Sequence, residues 1–298
     1  MTNIGDALDQ PSWDGDTCAI AAGPWLPAPA ISASVGLHVA GCAVVAADPA
    51  LWSWVAAAIF SNQLVLAASG MWPKSQLLGP NLVRLPENSA LQGQVALTFD
   101  DGPDPAVTPR VLDLLDRHSA KASFFCVGRK AATYPEIVRE IHARGHSVEN
   151  HSWRHSKVFA LRGLDGMHRE ITRTQEVIKS ITGRAPQFFR APMGFRNPLL
   201  DPVLARSGLR YVSWTRRGFD TVRSDAGQIL RRLTRGLTAG DLLLLHDRTA
   251  ARMSARPSVV IAVLTLLLDE LAVRGLRSIS LPMALEHGQG RETWLQGG

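Results

Sequence analysis

Between Val95 and Ile279 the chain alternates short apolar runs with stretches of helical spacing, and few folds accommodate that order. The runs are Val95–Phe99, Ala122–Val127, His146–Asn150, Gln187–Arg190, Leu209–Trp214, Leu242–His246 and Leu276–Ile279. They are short, mostly uncharged and rich in β-branched or aromatic residues, as strands buried on both faces are. Between them, Val107–His118, Pro135–Arg144, Met167–Ile181, Ala226–Leu233 and Val259–Val273 have helical periodicity. Pro135 suits a helix start, and Gly145 and Gly183 suit helix ends. Strands alternating with helices predict an α/β domain built on a parallel sheet or barrel. No repeat of 20–50 residues is present, which excludes a solenoid.

The polar residues stand where these runs stop. Asp100-Asp101 closes the first, His151 and His155 follow the third, Arg190 closes the fourth, and His246-Asp247 follows Leu242–Leu245. In parallel α/β folds the carboxyl ends of the strands share one face, so these residues are expected to converge. One carboxylate and two neutral imidazoles suit a divalent ion such as zinc and leave coordination positions open, the ligand count of a catalytic site. The step from His151 to His155 can bring both rings to one side of a helical turn. An ion held there polarises an acyl carbonyl and lowers the pKa of water from 15.7 toward about 7. A second carboxylate can act as base and a further histidine as acid. Spacing alone leaves open which of Asp100 and Asp101 is the ligand. Asp-Asp-Gly-Pro by itself is an ordinary turn, and a lone HxxxH pair is ordinary too. The argument rests on their occurring together at strand ends.

The front of the chain has a different character. Residues 30–47 carry no charge, Asp48-Pro49 interrupts, and LWSWVAAAIFSNQLVLAASGMW runs uncharged to Trp72. Each run approaches the roughly 17–25 residues a membrane-crossing helix needs. The Asp-Pro pair stops one helix and starts the next, which predicts a transmembrane hairpin over residues 30–72 with Trp52, Trp54 and Trp72 near the interfaces. His38, Asn62 and Gln63 are expected to bond between the two helices. The first 29 residues are acidic and lack the positive start of a secretory signal.

Charge follows the same division. No Lys or Arg precedes Lys74, so all 32 basic residues lie from there on against 21 of the 26 acidic ones, a net +11. The nearest basic residues, Lys74 and Arg84, follow the second crossing. The positive-inside rule then places the remainder on the cytoplasmic face of a bacterial-type inner membrane. A basic soluble part attracts polyanions, acidic lipid headgroups or a phosphorylated substrate. No nucleic-acid motif accompanies the charge, and nothing points to a protein partner. Three cysteines, Cys18, Cys42 and Cys126, show no CxxC spacing, so neither a disulfide framework nor a thiolate metal site is expected.

Taken in order, these residues resemble the polysaccharide deacetylase (NodB-homology) family, also called carbohydrate esterase family 4. The first motif stands as Thr98-Phe99-Asp100-Asp101-Gly102-Pro103 and the second as His151-Ser152-Trp153-Arg154-His155. The third keeps its frame in Arg190-Ala191-Pro192-Met193-Gly194, and the fifth is Leu244-Leu245-His246. The resemblance implies a distorted (β/α) barrel in which Asp100 is general base and Asp101, His151 and His155 bind the metal. It further implies that Arg190 orients the base, that His246 is general acid, and that the backbone N–H of Met193, within Pro192-Met193-Gly194, helps hold the oxyanion and substrate. The metal implied is zinc, with cobalt, nickel or manganese as alternatives.

Two positions depart from the family pattern. Met193 stands where an aromatic residue is common. The fourth motif reads Arg217-Gly218-Phe219-Asp220-Thr221, keeping only its second acid, Asp220, which can still tune His246. The organisation expected is therefore an acidic leader (1–29), two transmembrane helices (30–72), a connector (73–94), the catalytic domain (95–285) and a tail (286–298). The function expected is a metal-dependent hydrolase of carbon–nitrogen bonds other than peptide bonds, removing an N-acetyl or related acyl group from a carbohydrate, cell-envelope or lipid-linked saccharide. The competing reading is a non-catalytic saccharide-binding or scaffold protein on the same fold.

Overall fold

The computed structural model describes residues 25–248 and 259–286; most of the acidic leader, with Cys18, and most of the tail lie outside the described residues. Two antiparallel helices come first, α1 (Pro29–Ala47) and α2 (Trp52–Met71), joined by a 3-10 turn over Pro49–Leu51. Asp48 stops α1 with an extended backbone, and its Oδ1 accepts from Ala50 N–H at 3.0 Å, capping the turn. Both helices are long and apolar enough to cross a membrane, with mean hydropathy 1.8 and 1.4. Val39, Phe60, Leu64 and Val65 lie exposed along them. The predicted polar contacts are present. Asn62 Nδ2 donates to Ser34 Oγ at 2.7 Å, and Gln63 Nε2 lies 3.3 Å from His38 Nε2.

The rest of the chain forms α3 (Glu87–Leu91), β1 (Gln94–Asp100), α4 (Thr108–Arg117), β2 (Ala122–Cys126), α5 (Gly128–Thr133), α6 (Pro135–Ala143), β3 (Ser147–Asn150), α7 (Leu164–Thr182) and β4 (Phe188–Phe189). Then follow α8 (Leu200–Arg206), β5 (Arg210–Tyr211), β6 (Arg216–Arg217), α9 (Ala226–Thr234), β7 (Leu242–His246), α10 (Val259–Val273), β8 (Arg277–Ser278) and α11 (Leu281–Glu286). All strand pairs are parallel, in the order β5-β4-β3-β2-β1-β7-β6, with β8 on the lower end of β1.

This is a curled half-barrel, the distorted (β/α) barrel that the resemblance implies. β5 and β6 do not pair. The gap between the edges is crossed by the connector, which bridges Leu82 to Val212 on one side and Arg84 to Asp241 on the other. The polar groups at the open edges thereby find partners without a further strand.

Strand alternation decides which side chains reach the site. On β1, Val95, Leu97 and Phe99 face the main core with α4, α6, α9 and α10, while Ala96 belongs to a second cluster on the opposite, concave side. Thr98 and Asp100 share that side. On β7, Leu243 and Leu245 point to the helices, so Leu242, Leu244 and His246 point inward. The register pairs Asp100 with His246 directly. The end of α2 is fixed to the same rim: Gly70 O accepts from Arg196 N–H at 3.1 Å, and a Cβ at Gly70 would come within 2.1 Å of Arg196 O.

Candidate active site

Each strand delivers its polar group where its ladder ends. Asp100 is the last residue of β1, Asp101 turns away with φ 74°, and His151 follows β3. The segment from His151 to His155 is not a helical turn, contrary to expectation. Ser152 and His155 have left-handed backbone (φ 62° and 51°), and the loop is pinned by Gly128 N–H to Ser152 O and Arg129 N–H to Trp153 O. This kinked path still brings the two rings to a 4.8 Å centroid separation.

Asp101, His151 and His155 each present one ligand atom, all within 4.8 Å of one another. Asp101 Oδ1 is 3.0 Å from His155 Nε2 and 3.5 Å from His151 Nε2, yet it is buried with no hydrogen bond of acceptable geometry. Burial alone would push the Asp101 carboxyl up; the His151 and His155 rings reverse this and hold it well below the usual carboxylate range. His151 Nδ1 lies 2.8 Å from Arg190 O. A carbonyl only accepts, so Nδ1 donates to it and Nε2 is the ring nitrogen left facing Asp101. An orphaned carboxylate oxygen and an imidazole nitrogen facing it fit a divalent cation.

Beside this cluster stand two groups, each held by a partner. Arg190, fully buried, donates from Nη1 to Asp100 Oδ1 at 2.7 Å and to Thr98 Oγ1 at 2.9 Å, and from Nη2 to Ser213 O at 2.8 Å. Its guanidinium stacks 4.1 Å over the Phe125 ring. His246 is gripped twice by Asp220, whose Oδ2 accepts from the His246 backbone N–H at 2.8 Å while Oδ1 lies 2.9 Å from Nδ1. Burial pushes the His246 pKa down, but Asp220, with Asp100 and Asp101 behind it, more than offsets this and raises it above the ordinary value.

Pro192, Met193 and Gly194 form a 3-10 turn in which Met193 takes φ 62°. Gly194 N–H is already given to Ala191 O at 2.9 Å, so the Met193 amide is the one left without an acceptor among the described residues. Gly194 has a different part: a Cβ there would lie 2.4 Å from the Trp214 ring.

Two neighbours, Arg248 and Lys130, escaped the sequence reading, and a third, Asp247, was placed at the strand end without a role. Arg248 Nε lies 2.9 Å from Asp101 Oδ2, and Lys130 Nζ donates to Asp101 O at 2.7 Å. Asp247, fully buried, accepts from Thr108 Oγ1 at 2.6 Å, and burial pushes its pKa up to about 7. A Cβ at Gly102 would fall 2.3 Å from Asp247 Oδ2, so Gly102 admits this buried acid beneath Asp100-Asp101. Only Asp247, directly after the His246 strand end, carried a positional hint.

A curled parallel sheet with this Asp-His-His cluster at its carboxyl edge is the fold of polysaccharide deacetylases. Residues 87–212 match the family model described as polysaccharide deacetylase. A peptidoglycan-N-acetylglucosamine deacetylase, PgdA, of Listeria monocytogenes is 34% identical over 170 residues; the match covers 56% of this chain and 36% of that protein's length. A chitooligosaccharide deacetylase of Azorhizobium caulinodans is 35% identical over 157 residues, 52% of this chain and 74% of the relative. The solved structure of the Bc1960 peptidoglycan N-acetylglucosamine deacetylase, complexed with 4-naphthalen-1-yl-N-oxidanyl-benzamide, superposes with a TM-score of 0.63 at 29% identity, over 68% of this chain and 92% of that one. The chain belongs to the polysaccharide deacetylase family, carbohydrate esterase family 4. The family-model match ends before Asp220 and His246, so their place beside Asp100 rests on the strand register and on their own contacts.

Proposed function

We propose that this chain is a hydrolase that removes the N-acetyl group of an envelope saccharide at a membrane surface, the saccharide being bound to lipid. The names of the relatives, deacetylases of N-acetylglucosamine in peptidoglycan and of chitooligosaccharide, support the reaction class. The observation that carries it is the meeting, at one strand-end rim, of Asp101, His151 and His155 with two separately held groups, Asp100 and His246. Asp101, His151 and His155 would hold a divalent ion such as zinc, which would supply Lewis acidity toward the acyl carbonyl and a water nucleophile near neutral pH.

The chain's own groups do the rest. Arg190 binds Asp100 Oδ1 and leaves Oδ2 facing the cluster, where it takes the attacking water's proton as general base. Asp220 fixes His246 Nδ1, which leaves Nε2 to carry the proton given to the departing amine. The Met193 N–H donates to the oxyanion, a contribution of about 3–4 kcal/mol in the transition state.

The hairpin supports placing the saccharide on a lipid. α1 and α2 are read as membrane-spanning, and the contact of Gly70 with Arg196 holds the rim of the site next to the helix end. The absence of Lys and Arg before Lys74 favours the cytoplasmic face for the catalytic domain. Protease digestion of that domain in inverted vesicles but not in intact cells is the expected result for this side. The activity itself is tested by acetate release from N-acetylglucosamine oligomers and from lipid-linked N-acetylated saccharides, using full-length chain purified in detergent and supplied with zinc. Release that disappears with a chelator is expected. A zinc-loaded protein inert toward the whole panel would instead support the saccharide-binding alternative.

A further inference from the structure

Beside the catalytic rim runs a groove of about 740 Å³ whose walls carry an unusual density of arginine. Its lining includes Trp214, Phe219 and residues of α9. Arg217, Arg223, Arg232 and Arg235 all line it, and among the described residues none of the four pairs with a carboxylate. The nearby acids are committed elsewhere. Asp220 holds His246, Asp241 holds Arg84 and Arg216, and Asp225 caps α9 through Gln228 N–H, with Arg231 next to it.

The arginines are also prearranged. Arg217 stacks 4.9 Å over Phe219 and 5.3 Å over Trp214, and Arg232 lies 5.4 Å from Phe219 on the same ring. Stacking through the guanidinium face leaves the N–H edge free, in the fork geometry that matches a phosphate. The Arg217 Nε is buried and has no acceptor among the described residues. Uncompensated like charges lining a concavity repel one another and focus a positive field there, and a bound anion removes both costs.

Two contacts tie the groove to the reaction centre. Trp214 stands 5.8 Å from the Arg190 guanidinium that holds Asp100, and Phe219 immediately precedes Asp220. The lining also includes Pro73, two residues past the end of α2. A neutral polymer of N-acetylated sugar has no use for four free cations at this place.

We propose that the groove seats the phosphate or diphosphate ester of the sugar being deacetylated, so that the substrate class is a phosphorylated saccharide rather than a neutral glycan. This rests on the deacetylase reading and narrows it. The same chemistry can be offered by a lipid phosphodiester or by a soluble sugar phosphate.

The test uses zinc-loaded full-length chain in detergent and three matched N-acetylglucosamine compounds: a neutral alkyl glycoside, the soluble 1-phosphate, and a long-chain alkyl diphosphate ester. Acetate release should favour the phosphorylated compounds by about tenfold or more in kcat/KM, carried by KM, as expected for charge-assisted contacts. Inorganic pyrophosphate should inhibit competitively. Arg217→Gln/Arg232→Gln should erase both effects, and Arg235→Gln, on an exposed position, should reduce them without risk to the fold. Arg139→Gln, exposed on α6, should change neither. Preference for the alkyl diphosphate over the 1-phosphate assigns a lipid source, and equal use of both assigns a soluble one. Equal kcat/KM for the neutral and phosphorylated compounds, or a preference that survives the double variant, overturns the proposal while leaving deacetylation intact. If no compound releases acetate, calorimetry with pyrophosphate decides separately: binding lost in the arginine variants supports the phosphate seat although the hydrolase reading fails, and no binding to wild type sinks it.

Discussion

The catalytic rim and the groove next to it treat charge in opposite ways. At the rim each acid-base group has its counterpart: Asp100 with Arg190, His246 with Asp220, Asp101 with two imidazoles and Arg248. Asp100, Asp101, Arg190, Asp220 and His246 are all buried. In the groove, four arginines stand over aromatic rings or in solvent, and among the described residues no carboxylate answers them. The difference separates two kinds of task. A site whose charges are internally balanced is built to move protons, and one left unbalanced is built to receive charge from outside.

That contrast can be broken at several places. The largest effect is expected from Asp100→Asn, which keeps Arg190 bonded but removes the base. Turnover should fall by about 10²–10⁴-fold with zinc still bound, measured by acetate release alongside metal analysis. Normal turnover would show that Asp100 is not the base. Arg190→Ala strands the Asp100 carboxylate in the protein interior, and denaturation should show a loss of about 3–5 kcal/mol. Asp220→Asn removes the leading cause that raises the His246 pKa. An acid is active while protonated and fails as pH rises through its pKa, so the alkaline limb of the pH–rate profile should move to lower pH. An unmoved limb would take His246 out of the acid role. The smallest effect belongs to the hairpin: Asn62→Ala loses the 2.7 Å bond to Ser34 and should weaken helix association by about 0.6 kcal/mol in a bilayer unfolding assay.

The strand–helix alternation was readable because β1, β2 and β7 are mostly apolar runs whose every residue is buried. β4, β5 and β8 shrink to two residues each, since the curl of the sheet leaves little ladder at its margins. β6 is Arg216–Arg217, a polar pair with no strand signature, and it joins the sheet only because β7 offers an open edge. α5 and α8 were missed as well, being six and seven residues long and too short for periodicity to register.

At the site, the residues of the motifs were legible as a set because they sit at strand ends. Their geometry was not. The turn from His151 to His155 depends on left-handed residues and on backbone bonds from α5, which no side-chain pattern encodes. Arg248 and Lys130 reach Asp101 from separate segments, and a basic residue in a basic chain carries no positional clue. The groove was invisible for the same reason. Its arginines are spread over β6, the following loop and α9, and only folding collects them.

The central claim is that Asp101, His151 and His155 hold a single divalent ion. Metal analysis of three purified proteins, each exposed to zinc and then dialysed, addresses it without relying on any substrate. The account predicts one tightly held zinc per chain in wild type and in Asp100→Asn, and none in Asp101→Ala. A full equivalent of zinc retained by Asp101→Ala would contradict it, because the ion would then be bound by other residues.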